Sequence, residues 1–500
     1  MLSLSLDVSH LLYDAVQQQL ILPLDLAFAK KHVSSSEKTF AFLAVFSALL
    51  RCGYPFITIE KDRLFPSIPG ISENLFYECF KDMPEELRSS LFVIENNKIY
   101  LRSLYLIREK LFQKLSLLSQ ASPRYNIVAE ENPKLSEEQN FVFQKALSSC
   151  FSLICGGPGT GKTFLAIQII LTLLKRDPKI RIAIVSPTGK ATSHIRQILS
   201  SYGIAEDHVN IQTIHRFLQE HVYSQSGSVD LLLVDEGSMV TFDLLHSLVN
   251  TLSGTHLNKG IVADNLIILG DANQLPPIGV GAGNPLQDLI KRFPARALNL
   301  RISHRAKTTQ IQNLSQAILE KQSIPFTPLP PMHSAIAMIK EAFIKSPSSR
   351  AQLCVLTPMR HGPWGYLQLN DLIFRSIQKT HPDLPIPIMI TDRYETWGLF
   401  NGDTGFLCPK TQKLFFEHCP AIDSKVFSYY TYNYAMSVHK SQGSEYENVI
   451  VIIPRGSETF DVSILYTAIT RAKHSVSVWA DGETLNKIIK KPHKYTYGVT

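Results

Sequence analysis

Apolar residues recur at helical spacing through about the first 125 positions. Leu11, Leu12, Ala15, Val16 and Leu20 share one helical face, and Thr39–Leu50 is a second such run. Leu104–Leu118 predicts a third helix, with basic residues on its open face. This section shows no catalytic cluster and reads as a helical accessory or docking domain. A hydrophilic stretch from Glu130 to Glu138, containing Asn132-Pro133, resembles a linker. Beyond it, short β-branched runs alternate with helical segments: Ser152–Cys155, Ile180–Ser186, Leu231–Asp235, Leu266–Gly270, Leu353–Thr357, Val449–Ile453 and Ser475–Trp479. Strands spaced by helices predict parallel sheets with crossover connections. The Pro-rich segment Pro325–Pro331 marks a hinge or a surface loop.

Length and composition narrow this picture. Five hundred residues are too many for one core and predict about three domains. With 45% apolar and 19% charged residues and a mean hydropathy of +0.02, disorder, collagen and coiled coil are excluded. Fifty Lys and Arg against 43 Asp and Glu leave a formal +7, which permits a nucleic-acid partner without establishing one. The seven cysteines include no C-x-x-C pair, so a disulfide framework or structural zinc is not expected, and a reducing cytoplasm is. MLSLSLDVSH lacks a basic start and does not read as a signal peptide. The longest apolar run, Leu165–Leu174, is interrupted by Gln168 and Thr172 and is too short to span a bilayer.

The chemistry begins at Gly156-Gly157-Pro158-Gly159-Thr160-Gly161-Lys162-Thr163, which fits G-x-x-x-x-G-K-[ST] between a strand and a helix. Glycines let backbone amides close on phosphate oxygens, and the following helix N-terminus favours an anion. Lys162 would meet the β- and γ-phosphates of ATP, and the Thr163 hydroxyl would ligate Mg²⁺. Leu231–Val234 leads into Asp235-Glu236 at a strand tip, where ligands gather in open α/β sheets. Asp235 would hold Mg²⁺, and Glu236 would orient and deprotonate water. In Asp271-Ala272-Asn273-Gln274-Leu275-Pro276-Pro277, Gln274 fits a γ-phosphate sensor, although the segment equally fits an Asx- and Pro-rich turn.

The order of these motifs resembles a superfamily 1 DNA helicase of the RecD type, over about residues 135–480. Leu135–Gln139 is similar to the glutamine segment that reads adenine. Ser186-Pro187-Thr188-Gly189-Lys190, Thr213-Ile214-His215-Arg216, Ser303-His304-Arg305, Asn401-Gly402-Asp403-Thr404-Gly405, Val438–Glu445 and Tyr466–Lys473 follow in the family's order. Leu22-Pro23-Leu24-Asp25 and Lys98–Arg102 resemble, more narrowly, the α subunit of exodeoxyribonuclease V, RecD of RecBCD. Gly237 stands where the family usually has Ala. Leu275-Pro276-Pro277 looks more like the standalone RecD-like helicases, whose longer N-terminal extension has no room before Gln139.

The resemblance implies an α/β fold with two RecA-like parallel-sheet domains of the P-loop NTPase type, over about residues 126–300 and 301–500. It adds a helical N-terminal domain over 1–125 that docks partners, and a small SH3-like β-barrel inserted near 395–432. Arg471 and Arg305 would be the arginines that reach across the cleft to the γ-phosphate. Pro187, Thr188, Lys190, His215, His439 and Lys440 would grip single-stranded DNA without reading its sequence. Trp364 would stack on a base or anchor its loop. The implied activity is ATP-driven 5′-to-3′ DNA translocation and unwinding within a RecBCD-like heterotrimer, acting on duplex ends with RecB-like and RecC-like subunits. A standalone helicase and an ATP-switched architectural subunit are the alternatives. No separate acid cluster suggests a nuclease.

Overall fold

A computed structural model describes residues 10–33, 36–123, 131–204, 209–224, 229–252, 262–303, 309–345, 353–392, 394, 397–416, 419–427 and 429–491. Its N-terminal region is built on the apolar helix Glu37–Arg51, capped where the Ser36 hydroxyl accepts from Thr39 N–H. Phe42 and Phe46 of this helix meet Phe76, Phe80 and Phe92 in one ring cluster. The helical expectation is incomplete here. Strands Ile57–Glu60, Arg63–Phe65, Phe92–Glu95 and Lys98–Leu101 form an antiparallel sheet against the helices. Each strand has only three or four residues, too few for alternation to stand out from helical periodicity.

Helix Arg102–Gln120 leaves this sheet and lies along helix Phe242–Asn250 of the next domain. Phe112 packs edge-on to Phe242 and Phe293 across that junction. Buried Arg108 lies over the rings of Tyr100, Tyr105 and Phe112 and pairs with Glu109 at 2.9 Å.

The first α/β domain carries a six-stranded, wholly parallel sheet in the order Ala297–Leu300, Phe151–Gly156, Asn265–Gly270, Leu231–Val234, Ile182–Ser186, Val209–Thr213. Helices cover both faces, which is why its strands are apolar at nearly every position. Each aliphatic side chain fully buried there stabilises by about 1.5–3 kcal/mol relative to exposure.

The second α/β domain has a five-stranded parallel sheet, in the order Thr327–Pro328, Ala472–Ala480, Tyr446–Ile453, Leu353–Thr357, Ala435–Ser437. Thr327–Pro328, within the Pro-rich segment, thus serves as its edge strand. Beside it, strands Ile386–Ile390, Thr404–Cys408, Lys413–Phe416, Cys419–Asp423 and Tyr430–Tyr432 form a separate antiparallel sheet. It begins earlier than the insertion expected near 395, because Ile386–Ile390 is a buried strand that joins it. Among the described residues no ladder joins its two edge strands. No described helix is long and apolar enough to cross a membrane.

Candidate nucleotide and DNA site

The phosphate loop follows strand Phe151–Gly156 and feeds helix Lys162–Arg176. A side chain at Gly156 would lie 2.6 Å from Thr160 Oγ1 and 2.8 Å from the Leu300 carbonyl. Gly161 has φ +83° immediately before the helix, a conformation that favours glycine. The Lys162 ammonium folds back over the loop and donates to the Gly156 and Gly157 carbonyls at 2.6 and 3.0 Å. Thr163 lies in the first turn of that helix, behind Gly157, Pro158, Gly159 and Thr160. Gln139 is buried and spends its amide on bracing: Nε2 donates to the Thr160 carbonyl, and Oε1 accepts from Ser136 N–H in a capping box.

Asp235 and Glu236 stand at the tip of strand Leu231–Val234, separated from the phosphate-loop strand by Asn265–Gly270. Glu236 adopts φ +52°, a strained setting for a residue with a side chain and the kind of cost that persists at functional sites. Burial, and then the neighbouring Glu236 charge, push the Asp235 carboxyl up to about 7. The Glu236 backbone N–H and the Lys162 charge pull the other way. Gln274 is buried just past the tip of the intervening strand. Its Nε2 donates to Asp271 Oδ2 at 3.1 Å, and its Oε1 has no hydrogen-bond partner. A buried acceptor without a donor costs about 1–3 kcal/mol.

The same residues meet the second α/β domain. Tyr466 O–H donates to Asp271 Oδ2 at 3.0 Å, and its oxygen lies 3.3 Å from the position a Gly157 side chain would take. Leu275 N–H donates to Thr467 Oγ1 at 2.8 Å, and Gln442 Nε2 donates to the Leu275 carbonyl at 3.1 Å. Arg471 is buried, with its guanidinium on the Thr467 and Ser444 carbonyls. Arg305, the other expected arginine, lies outside the described residues, as does His304.

On the face expected to hold DNA, the Thr188 hydroxyl caps helix Gly189–Ser201, and Pro187 precedes it. Lys190 Nζ donates to Ser444 Oγ at 2.7 Å. Phe400 covers Gly189 so closely that an added side chain would lie 2.6 Å from its ring. His215 and Lys440 are exposed, and the Lys440 ammonium lies 5.2 Å from the Tyr366 ring centre. His439 is half-buried, and burial lowers its pKa below the usual histidine value. Trp364 is half-buried against the second domain's core, and its carbonyl accepts from the Thr357 hydroxyl, so packing supports the loop anchor. Gln442, Ser444, Tyr466 and Thr467 fall inside segments that carry the resemblance but have no individual role there, and Phe400 lies outside them. Nothing local distinguishes them, since their contacts arise between residues up to 254 positions apart.

Residues 139–280 match the AAA domain family, and residues 432–479 match the UvrD-like helicase C-terminal domain. The chain is 25% identical to RecBCD enzyme subunit RecD of Buchnera aphidicola subsp. Acyrthosiphon pisum, over 82% of this chain and 84% of that protein. It is 24% identical to RecBCD enzyme subunit RecD of Haemophilus influenzae, over 90% and 83%. It is 25% identical to the ATP-dependent RecD2 DNA helicase of Deinococcus radiodurans, over 69% of this chain and half of that protein. With a glycine-rich loop, a paired-acid strand tip and a second α/β domain bonded to the segment around Gln274, the chain is a DNA helicase similar to the RecD-type members of superfamily 1.

Proposed function

We propose that this helicase is a 5′-to-3′ single-stranded DNA motor that works as a subunit of a RecBCD-like complex in break repair and recombination. The observation that carries it is the bonding of Asp271 and Leu275, on either side of Gln274, to Tyr466 and Thr467 of the other domain. A change at the γ-phosphate sensor therefore reaches the second domain through two hydrogen bonds. Alternating closure of two domains that each hold DNA becomes stepping.

The residues present fit Mg²⁺ and ATP. Gln274 Oε1 lacks a donor, the loop is a glycine cradle, and the Asp235 carboxylate is disfavoured by burial and then by the Glu236 charge, both of which a divalent cation would offset. Thr163 and Asp235 would hold the cation, and Lys162 and the loop amides the phosphates. The cation supplies charge neutralisation on the phosphoryl oxygens. Glu236 accepts the proton of the attacking water. Arg471 and Arg305 complete the charge set across the cleft, a contribution worth about 10³–10⁵-fold in rate. Gln139, braced on Thr160, borders the base. Pro187, Thr188, Lys190, His215, His439 and Lys440 hold the DNA backbone.

Similarity supports the subunit over the standalone reading: the Buchnera and Haemophilus RecD subunits align over 82% and 90% of this chain, the RecD2 helicase over 69%. A Lys162→Gln chain should lose single-stranded-DNA-stimulated ATP turnover by at least about a hundredfold. Unchanged turnover, or a wild-type chain indifferent to DNA, refutes the motor. Co-purification with two larger companions tests the complex.

A further inference from the structure

Three consecutive residues at the start of helix Gly189–Ser201 are approached from the second α/β domain. The turn at Gly443, with φ +72°, faces the Thr188 hydroxyl, Phe400 covers Gly189, and Ser444 Oγ accepts from Lys190. Ser444 is the one of these that also touches the arginine segment. Its N–H donates to the Ser441 carbonyl at 3.0 Å, and its own carbonyl accepts from Arg471 Nη1 at 3.2 Å. The residue is 5% exposed, so little water competes for these bonds.

We propose that Ser444 is a positioning residue that couples DNA binding to ATP turnover by joining Lys190 to Arg471. The side-chain oxygen holds the lysine on the DNA face, and the carbonyl of the same residue holds the arginine on the nucleotide side. An ammonium has three donors, so Lys190 can take a DNA phosphate while keeping its bond to Ser444 Oγ, and the bound phosphate then fixes the peptide unit whose oxygen holds the Arg471 guanidinium. The second guanidinium bond, Nε to the Thr467 carbonyl, extends the path, because Thr467 Oγ1 accepts from Leu275 next to Gln274. One residue thus lies between the two sites and carries a charge-assisted bond on its side chain and another on its backbone.

This inference rests on the motor reading, and the experiment separates the two. Ser444→Ala removes the hydroxyl that holds Lys190 and keeps both backbone bonds. ATP turnover is measured without DNA and at saturating oligo(dT). Wild-type turnover should rise with DNA. The Ser444→Ala chain should keep its basal turnover and lose about tenfold of the stimulated rate, the scale of one lost charge-assisted hydrogen bond. Lys190→Met should remove stimulation too, and the double variant should show no further loss. Full stimulation in Ser444→Ala, an equal loss of basal turnover, or additive effects in the double variant overturns the coupling. Absence of stimulation in the wild type overturns the motor itself and the coupling with it.

Discussion

Asp235→Asn probes the electrostatics of the acid pair directly. A carboxyl raised from 3.8 to about 7 binds a proton more readily in the folded protein than in the unfolded chain. Its ionised form therefore destabilises the fold fully above pH 7, partially between about pH 4 and 7, and not at all below. The whole change corresponds to about 4 kcal/mol for a dry group. Asp235 keeps partial access to water, which reduces the expected cost to about 1–2 kcal/mol. Asparagine removes the charge and the repulsion from Glu236 while its amide oxygen still accepts the Glu236 N–H. In EDTA, without nucleotide, the Asp235→Asn chain should melt about 3–6 °C above wild type at pH 8. The gain should shrink towards zero by about pH 4. Mg²⁺ with ATP should stabilise wild type at pH 8 and the variant far less. A gain that is absent at pH 8, or equal at pH 5 and pH 8, refutes the assignment of the strain to burial and like charge.

Other perturbations test the domain contacts. Gly189→Ala should cost about 1–3 kcal/mol by thermal melt, because its side chain meets Phe400 at 2.6 Å, and Phe400→Ala should recover most of it. Gly281→Ala puts a side chain at φ +58° and 2.5 Å from Leu104 Cδ1, where the Gly281 N–H also bonds the Leu50 carbonyl. It should loosen the N-terminal region, seen as faster proteolysis there. Arg108→Met keeps the length but loses the ring stack and the Glu109 pair, and should lower stability by about 2 kcal/mol in urea.

Much of the site was legible because its chemistry is local. Gly156–Thr163, Asp235-Glu236 and Gln274 each occupy one strand tip and the turn after it, so a short window holds residue type, spacing and flanking elements together. The N-terminal sheet was not legible, since its strands are three or four residues long and its two hairpins join only where Ile57 and Thr58 pair with Ile99 and Lys98, far along the chain. The bracing role of Gln139 was hidden too, because its acceptor, the Thr160 carbonyl, belongs to another element.

By itself the sequence determined the parallel α/β class, the phosphate loop and the acid pair. Period, β-branching and glycine placement act within a few residues and need no partner. Only the tertiary structure decided that Tyr466 bonds Asp271, that Ser444 lies between Lys190 and Arg471, and that Phe400 fills the space over Gly189. Those contacts join segments brought together by the packing of separate cores, and a hydrogen bond or a steric fit is set by position in space, to which sequence spacing is blind.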